Sequence, residues 1–194
     1  TRHMVEYGRH FIDYLNETAK AEGRAPWFDA EHRHELLMSV WLHDIGNVIN
    51  RIDHAQSGAV MAFRILDKMG ASPEETATII TAIGNHDEGT GVPVNAVAAA
   101  LILADKADVR RSRVRNQDTT TFDIHDRVNY SVTKAELKIN EAHTLIKLKL
   151  TVDTHYGSVM DYFEIFMQRM ILCRKAAAKL GLEFKLIINE QQLI

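Results

Sequence analysis

Apolar residues recur along this chain at two different periods, and the change comes about two-thirds of the way through. From Thr1 to about Arg115 the spacing is helical. Tyr7, Phe11, Tyr14 and Leu15 share one face of a first predicted helix. Asp29 is placed to cap a second, in which Leu36, Leu37, Val40 and Trp41 fall at helical intervals. Ser72-Pro73-Glu74-Glu75 reads as another helix start, with Ser72 as cap, Pro73 in the first turn and Glu75 completing a capping box. Val94 to Val109 is rich in Ala and Leu and predicts a buried helix, with Val92-Pro93 marking its boundary.

The remainder follows a different rule. Ile146, Leu148, Leu150 and Val152 alternate with Lys147, Lys149, Thr151 and Asp153, the period of a half-buried strand. Val128 to Ile139 offers a partner strand, and Asn140-Glu141-Ala142-His143 the turn. Ser158 opens a long helix whose stripe is Val159, Phe163, Phe166, Met170, Cys173, Ala177 and Leu180, with Gly181 as the stop. Phe184, Leu186 and Ile188 predict a last strand. The expected fold class is therefore α+β. A mainly α-helical bundle fills residues 1–121, and a small strand-strand-helix-strand appendage fills residues 122–194.

Composition narrows the function classes. With 194 residues and 46% apolar content, the chain can bury a real core. Its net charge of -3 argues against a strongly basic nucleic-acid binder and leaves small anions open as substrates. One cysteine, Cys173, excludes an internal disulfide and fits a reducing, cytoplasmic setting. No apolar run is long enough to cross a membrane. The chain starts at Thr1, so a short preceding piece is expected.

The ten histidines change the picture most. His43-Asp44 sits in the apolar stretch "WLHDIGNVINRIDH", and a buried carboxylate is costly unless paired or bound to a metal. Taken alone, the doublet also reads as a helix cap beside a satisfied core histidine. It is not alone. His54 follows one short loop on, with Gly58 four residues later on the same helix face, where close packing is possible. His86 ends the run "ATIITAIGNH", Asp105 lies mid-helix in "ALILADKAD", and His3 lies on the first helix. Imidazole and carboxylate suit Zn, Fe, Mn, Ni or Co, so these residues are candidate ligands for one or two ions.

His3, His43-Asp44 and Asp105 resemble the H…HD…D signature of the HD superfamily of metal-dependent phosphohydrolases. His54 and His86 fit its extended two-metal form. The resemblance covers about residues 1–115. It implies a first metal on His3, His43, Asp44 and Asp105, with Asp44 bridging to a second on His54 and His86. His10 competes with His3, one helical repeat away. Within the superfamily, "HAQSGAVMAFRIL" and "HDEGTGVP" resemble segments of the HD-GYP phosphodiesterases. Asp87 stands in place of a histidine there, Val92 in place of a tyrosine, and Asn47 in place of a lysine.

The resemblance implies a metal-dependent phosphohydrolase acting on a small phosphorylated substrate, such as a nucleotide. A di-iron oxygenase with the same ligand set and a silent metal-binding regulatory module are the alternatives. Asp44 and Asp87 are the candidate catalytic carboxylates, although Asp87 reads equally well as a solvated loop residue. Lys106 and Arg110, from the cluster Lys106, Arg110, Arg111, Arg113 and Arg115, are candidates to meet phosphate charge. A solvated helix end is the competing reading, because basic residues also favour a helix C-terminus. Nucleic-acid binding through this cluster is not expected, since no aromatic residues interleave with it. The amphipathic tail suggests a homodimer interface or a cover for the site.

Overall fold

The computed structural model describes residues 9, 12–13, 16–17, 19–21, 23, 26, 28–114, 116, 118–142 and 144–193. It is mainly helical, with a four-stranded sheet confined to the C-terminal part. Contacts divide the chain into two compact units, Thr1–Asp105 and Lys106–Ile194. Tyr7, Phe11, Tyr14 and Leu15, the face expected of the first helix, lie outside the described residues.

In the first unit, α1 spans Ala30–Leu42. Asp29 caps it by accepting a hydrogen bond from the His32 N–H at 2.9 Å. Leu36 and Val40 are buried as expected, but Trp41 is 64% exposed. The successor of Val40 on an α-helix is turned about 100° away, so an unbroken apolar run cannot all face one core. Next come α2, His54–Met69, and α3, Pro73–Gly84. Ser72 caps α3 through the Glu75 N–H. The Glu75 carboxylate instead approaches His34 at 3.3 Å, so only half of the expected capping box is recorded. Ala62 and Leu66 of α2 pack with Ile79 and Ile83 of α3, and Met38 and Leu42 of α1 close the cluster. Removing a side chain such as Ile83 costs about 2–5 kcal/mol in a core of this kind.

The last helix of this series, α4, spans Ala96–Ala107. Val97 through Ala104 are all buried, the behaviour of a helix apolar on every side. It stops at Ala107, and Arg110 is extended. Lys106 and Arg110 therefore do not share the helix face that a longer helix would have given them.

The second unit begins earlier than the Phe122 boundary suggested by the strand pattern. Arg111 explains the difference. Its Nε donates to the Tyr130 carbonyl at 2.7 Å, and its Nη2 pairs with Asp153 at 3.1 Å. The guanidinium also lies over the rings of Tyr130 and Tyr156, at 4.4 and 5.1 Å from their centroids.

The expected strand from Val128 is shorter than its pattern. Ile124–Ser131 forms α5, capped by Asp123, and β1 runs only over Val132–Ile139. A good N-cap and a short amphipathic turn outcompete the apolar alternation there. β2, Leu145–Val152, buries Ile146, Leu148, Leu150 and Val152 in alternation. α6, Val159–Lys179, opens on a complete Ser158–Asp161 capping box. Tyr162, not one of the expected stripe, is fully buried in it, while Val159 and Phe163 are half-buried. Gly181, at φ +74°, ends the turn beyond α6, a conformation that costs glycine little. β3, Glu183–Ile188, then pairs parallel to β2 through this crossover, and a two-residue β4, Gln191–Gln192, pairs with β3.

Candidate metal centre

A single tight junction in the first unit sets the site. The HD doublet closes α1, with the His43 N–H bonded to the Ser39 carbonyl. A short 3-10 turn over Ile45–Val48 follows. Gly46 of this turn lies against the start of α2. A Cβ there would sit 2.0 Å from the His54 carbonyl oxygen and 2.6 Å from the Gly58 nitrogen. A Cβ on Gly58 would in turn meet Gly46 and the His43 carbonyl at 3.3 Å. Two glycines thus let backbone approach backbone, and the approach brings His43, Asp44 and His54 to one place.

Three histidines are buried there, and each is oriented in the same way. His43 Nδ1 lies 2.9 Å from the Val40 carbonyl, His54 Nδ1 3.0 Å from that of Arg51, and His86 Nδ1 2.6 Å from that of Ile83. A carbonyl can only accept, so each Nδ1 carries its proton and each Nε2 is directed elsewhere. The three Nε2 atoms converge with two carboxylates. His54 and His86 Nε2 are 3.3 Å apart. His43 Nε2 lies 3.4 Å from Asp44 Oδ2 and 3.6 Å from Asp105 Oδ1, yet has no hydrogen-bond partner. Asp44 Oδ1 is 3.5 Å from His54 Nε2 and 4.0 Å from His86 Nε2.

Two overlapping triads result, His43–His86–Asp105 and Asp44–His54–His86, each with its donor atoms within 4.8 Å of one another. Ligands at about 2.1 Å from an ion stand about 3.0–3.4 Å apart at octahedral or tetrahedral angles. The His54–His86 and His43–Asp44 pairs, at 3.3 and 3.4 Å, have that spacing, and the other pairs, at 3.5–4.0 Å, are wider. The donor set of imidazole nitrogen and carboxylate oxygen suits a divalent transition metal. Nδ1–H bonds to carbonyls are the usual way a protein orients such ligands. Asp44 turns one oxygen toward His43 and the other toward His54, a bridging orientation. His86, expected with the second metal only, is within reach of both triads. His3 and its competitor His10 lie outside the described residues.

Burial pushes the His43 imidazole down, but the neighbouring Asp105 and Asp44 carboxylates override this and raise it to about 10. Burial would raise Asp44, yet His43 beside it holds its carboxyl well below the usual carboxylate range. In the metal-free state, therefore, a proton occupies the position a cation would take. The three histidines and Asp105 are buried, whereas the Asp44 side chain is 44% exposed. Solvent thus reaches the cluster at Asp44.

The other candidates stand differently. Asp87 follows His86 and is half-buried, and its backbone carbonyl accepts from the Thr90 and Gly91 N–H groups. Lys106 is buried, 3% exposed, one residue after Asp105. Arg110 pairs with buried Asp108 at 2.9 Å, and Arg113 approaches the same carboxylate at 3.7 Å. These two guanidiniums are engaged within the second unit.

One contributor carried no chemical role in the sequence reading. Asn47 donates its side-chain N–H to Asp44 Oδ1 at 2.9 Å and to the Asp44 carbonyl at 3.1 Å. Its spacing of three residues from Asp44 on a tight turn was the available signal.

Comparison with protein-family models, curated proteins and solved structures gives no match. The likeness to the HD superfamily rests on the residues named above.

Proposed function

We propose that the first unit is an HD-type centre that hydrolyses a small phosphoester, a nucleotide among the candidate substrates, with one or two divalent metal ions. One observation carries the reading. Three buried imidazoles, each fixed through Nδ1, present Nε2 to the two oxygens of a half-exposed carboxylate. A divalent ion supplies Lewis-acid charge to a phosphoryl oxygen and lowers the pKa of a bound water toward neutrality. His43, His54, His86 and Asp105 would hold the ions from the buried side, and Asp44 would span them. Asn47 holds Asp44 Oδ1 in place, so this carboxylate is oriented before any ligand arrives. Asp87, next to His86 and half-buried, is the group we assign to proton transfer. Lys106 and Arg110, expected from the sequence to meet phosphate charge, belong to the second unit, and Arg110 is engaged by Asp108 there, so neither is assigned that role.

Metal content of protein purified without added metal, followed by a phosphatase and phosphodiesterase screen, tests the proposal. Released phosphate or a cleaved diester is the expected result, and Asp44→Ala should remove both metal and turnover. Full activity in that variant would refute the assignment. Oxygen uptake by an iron-loaded protein would point instead to an HD-fold oxygenase. Bound metal without turnover on any substrate would leave a regulatory module.

Among the described residues no helix is long and apolar enough to cross a membrane. A cytoplasmic setting and a homodimer built through the C-terminal tail belong to the proposal. Light scattering on the full chain tests the dimer, and a monomer mass refutes it.

A further inference from the structure

The two units differ sharply in charge. Residues 1–105 hold 8 Lys and Arg against 15 Asp and Glu, a net of -7, whereas residues 106–194 hold 15 against 11, a net of +4. Five of the fifteen basic residues of the second unit lie on one face of its sheet. The inner face carries the buried residues Ile146, Leu148, Leu150, Phe184, Leu186 and Ile188. Alternation therefore puts Lys134 and Lys138 of β1, Lys147 and Lys149 of β2 and Lys185 of β3 on the opposite face. Register aligns three of them in one row, with Lys138 opposite Lys147 and Lys147 opposite Lys185.

Like charges directly opposite one another weaken a sheet. Glu136 offsets Lys134 at 3.1 Å and Lys138 at 3.7 Å, and Glu183 approaches Lys185 at 3.8 Å. Lys147 and Lys149 make no ion pair among the described residues, and both are exposed. Lysine on an edge strand protects against strand-to-strand aggregation. That accounts for β1, but β2 is paired on both sides, so its lysines are not explained in this way.

We propose that this open sheet face binds the phosphate backbone of a nucleic acid, without sequence preference. Charge complementarity calls for a polyanion. Protein interfaces are depleted in lysine and enriched in aromatic residues, and this face carries five lysines and no aromatic side chain. Its apolar members, Leu145 and Ile187, are half-buried, so little is available to insert into a lipid surface. Duplex phosphates supply one charge per about 1.7 Å of axis, enough to meet every lysine of the face. Without aromatic rings there is no base stacking, and contact is limited to phosphate. The proposal concerns the second unit alone and does not depend on the metal centre.

Fluorescence anisotropy of a short labelled DNA duplex, titrated with the full chain, tests it. Five phosphate contacts predict a log–log salt slope of about -4.5, so a fourfold rise in salt from about 50 mM should weaken binding roughly 500-fold. Lys147→Gln with Lys149→Gln should bring the slope to about -2.7, and Lys147→Glu with Lys149→Glu should remove binding. Lys20→Glu with Lys68→Glu, the same charge change in the first unit, should leave the slope unchanged. Circular dichroism checks that each variant is folded. The proposal fails if the duplex is not bound at about 50 mM salt, or if the β2 substitutions have no larger effect than the control pair. Binding to phosphatidylserine vesicles with no binding to duplex would overturn it in favour of a membrane surface.

Discussion

Buried polar side chains occur in both units, and the two units handle them differently. In residues 106–194 they meet local partners: Asp108 faces Arg110 and Arg113, and Ser131 donates to the Val128 carbonyl. In residues 1–105, His43, His54 and His86 satisfy one ring nitrogen locally and turn the other toward a shared point with Asp44 and Asp105. Charge buried and answered locally is an ordinary way to complete a fold. Three imidazoles fixed in orientation, with Nε2 turned toward two carboxylates at one point, are a site suited to a cation.

The strongest way to break this contrast is Asp44→Ala. Its removal takes the one carboxylate of the Asp44–His54–His86 triad and one of the two carboxylates beside His43, and bound metal measured by elemental analysis should fall to background. Retained stoichiometric metal would mean the triads do not act together. Gly46→Ala should be nearly as severe, because its Cβ would overlap the His54 carbonyl. A loss of at least about 3 kcal/mol in urea unfolding is expected, together with loss of metal. A variant of unchanged stability would show that the junction is looser than its geometry.

Leu148→Ala supplies the counterpart in the second unit. It should cost about 2–5 kcal/mol yet leave metal content unchanged when assayed in the cold. Metal loss that tracks the stability loss would tie the units into one cooperative whole. Asn47→Ala should weaken metal binding about 10- to 100-fold by freeing Asp44, with little change in melting temperature of the metal-free protein. Equal affinity in a chelator competition would remove Asn47 from the site.

A further test is one of pH, with the smallest effect per step. The His43 imidazole is raised to about 10 in the metal-free fold, above its ordinary value of 6.5. Its contribution to stability is therefore complete below about pH 6.5 and is lost as pH rises toward 10. Metal must displace that proton. Metal affinity should climb about tenfold per pH unit over the same range if one proton is released, and the thermal shift on adding metal should grow with it. A flat profile between pH 6.5 and 9 would contradict a protonated His43.

Much of the fold was legible because its signals are local. Asp29, Ser72 and Ser158 cap the helices they precede, Gly181 stops the turn after α6, and the alternation in β2 reads directly as burial. The misreadings arose where two local signals competed. Trp41 follows Val40 too closely to share its face, and Val128 belongs to a capped helical turn before it can join β1. For the site, His43, Asp44, His54, His86 and Asp105 stood out because each is polar where the pattern is apolar. Asn47 stood out only as a residue in place of a lysine; its contact with Asp44 was not legible, because it shows only when its amide is seen on Asp44 Oδ1.

By itself, then, the sequence determined the periods, the caps and which polar residues could not be left without a partner, since each depends on neighbours within a few positions. Tertiary structure alone decided that the Nε2 atoms of residues 43, 54 and 86 would meet. That outcome needs α2 to approach the HD turn through Gly46 and Gly58, and α3 to pack on α2 through Ile79 and Ile83. It also decided that Arg110 would serve Asp108 and that five alternate lysines would share one open face. In each case the cause is a contact between residues far apart in the chain, which no local pattern contains.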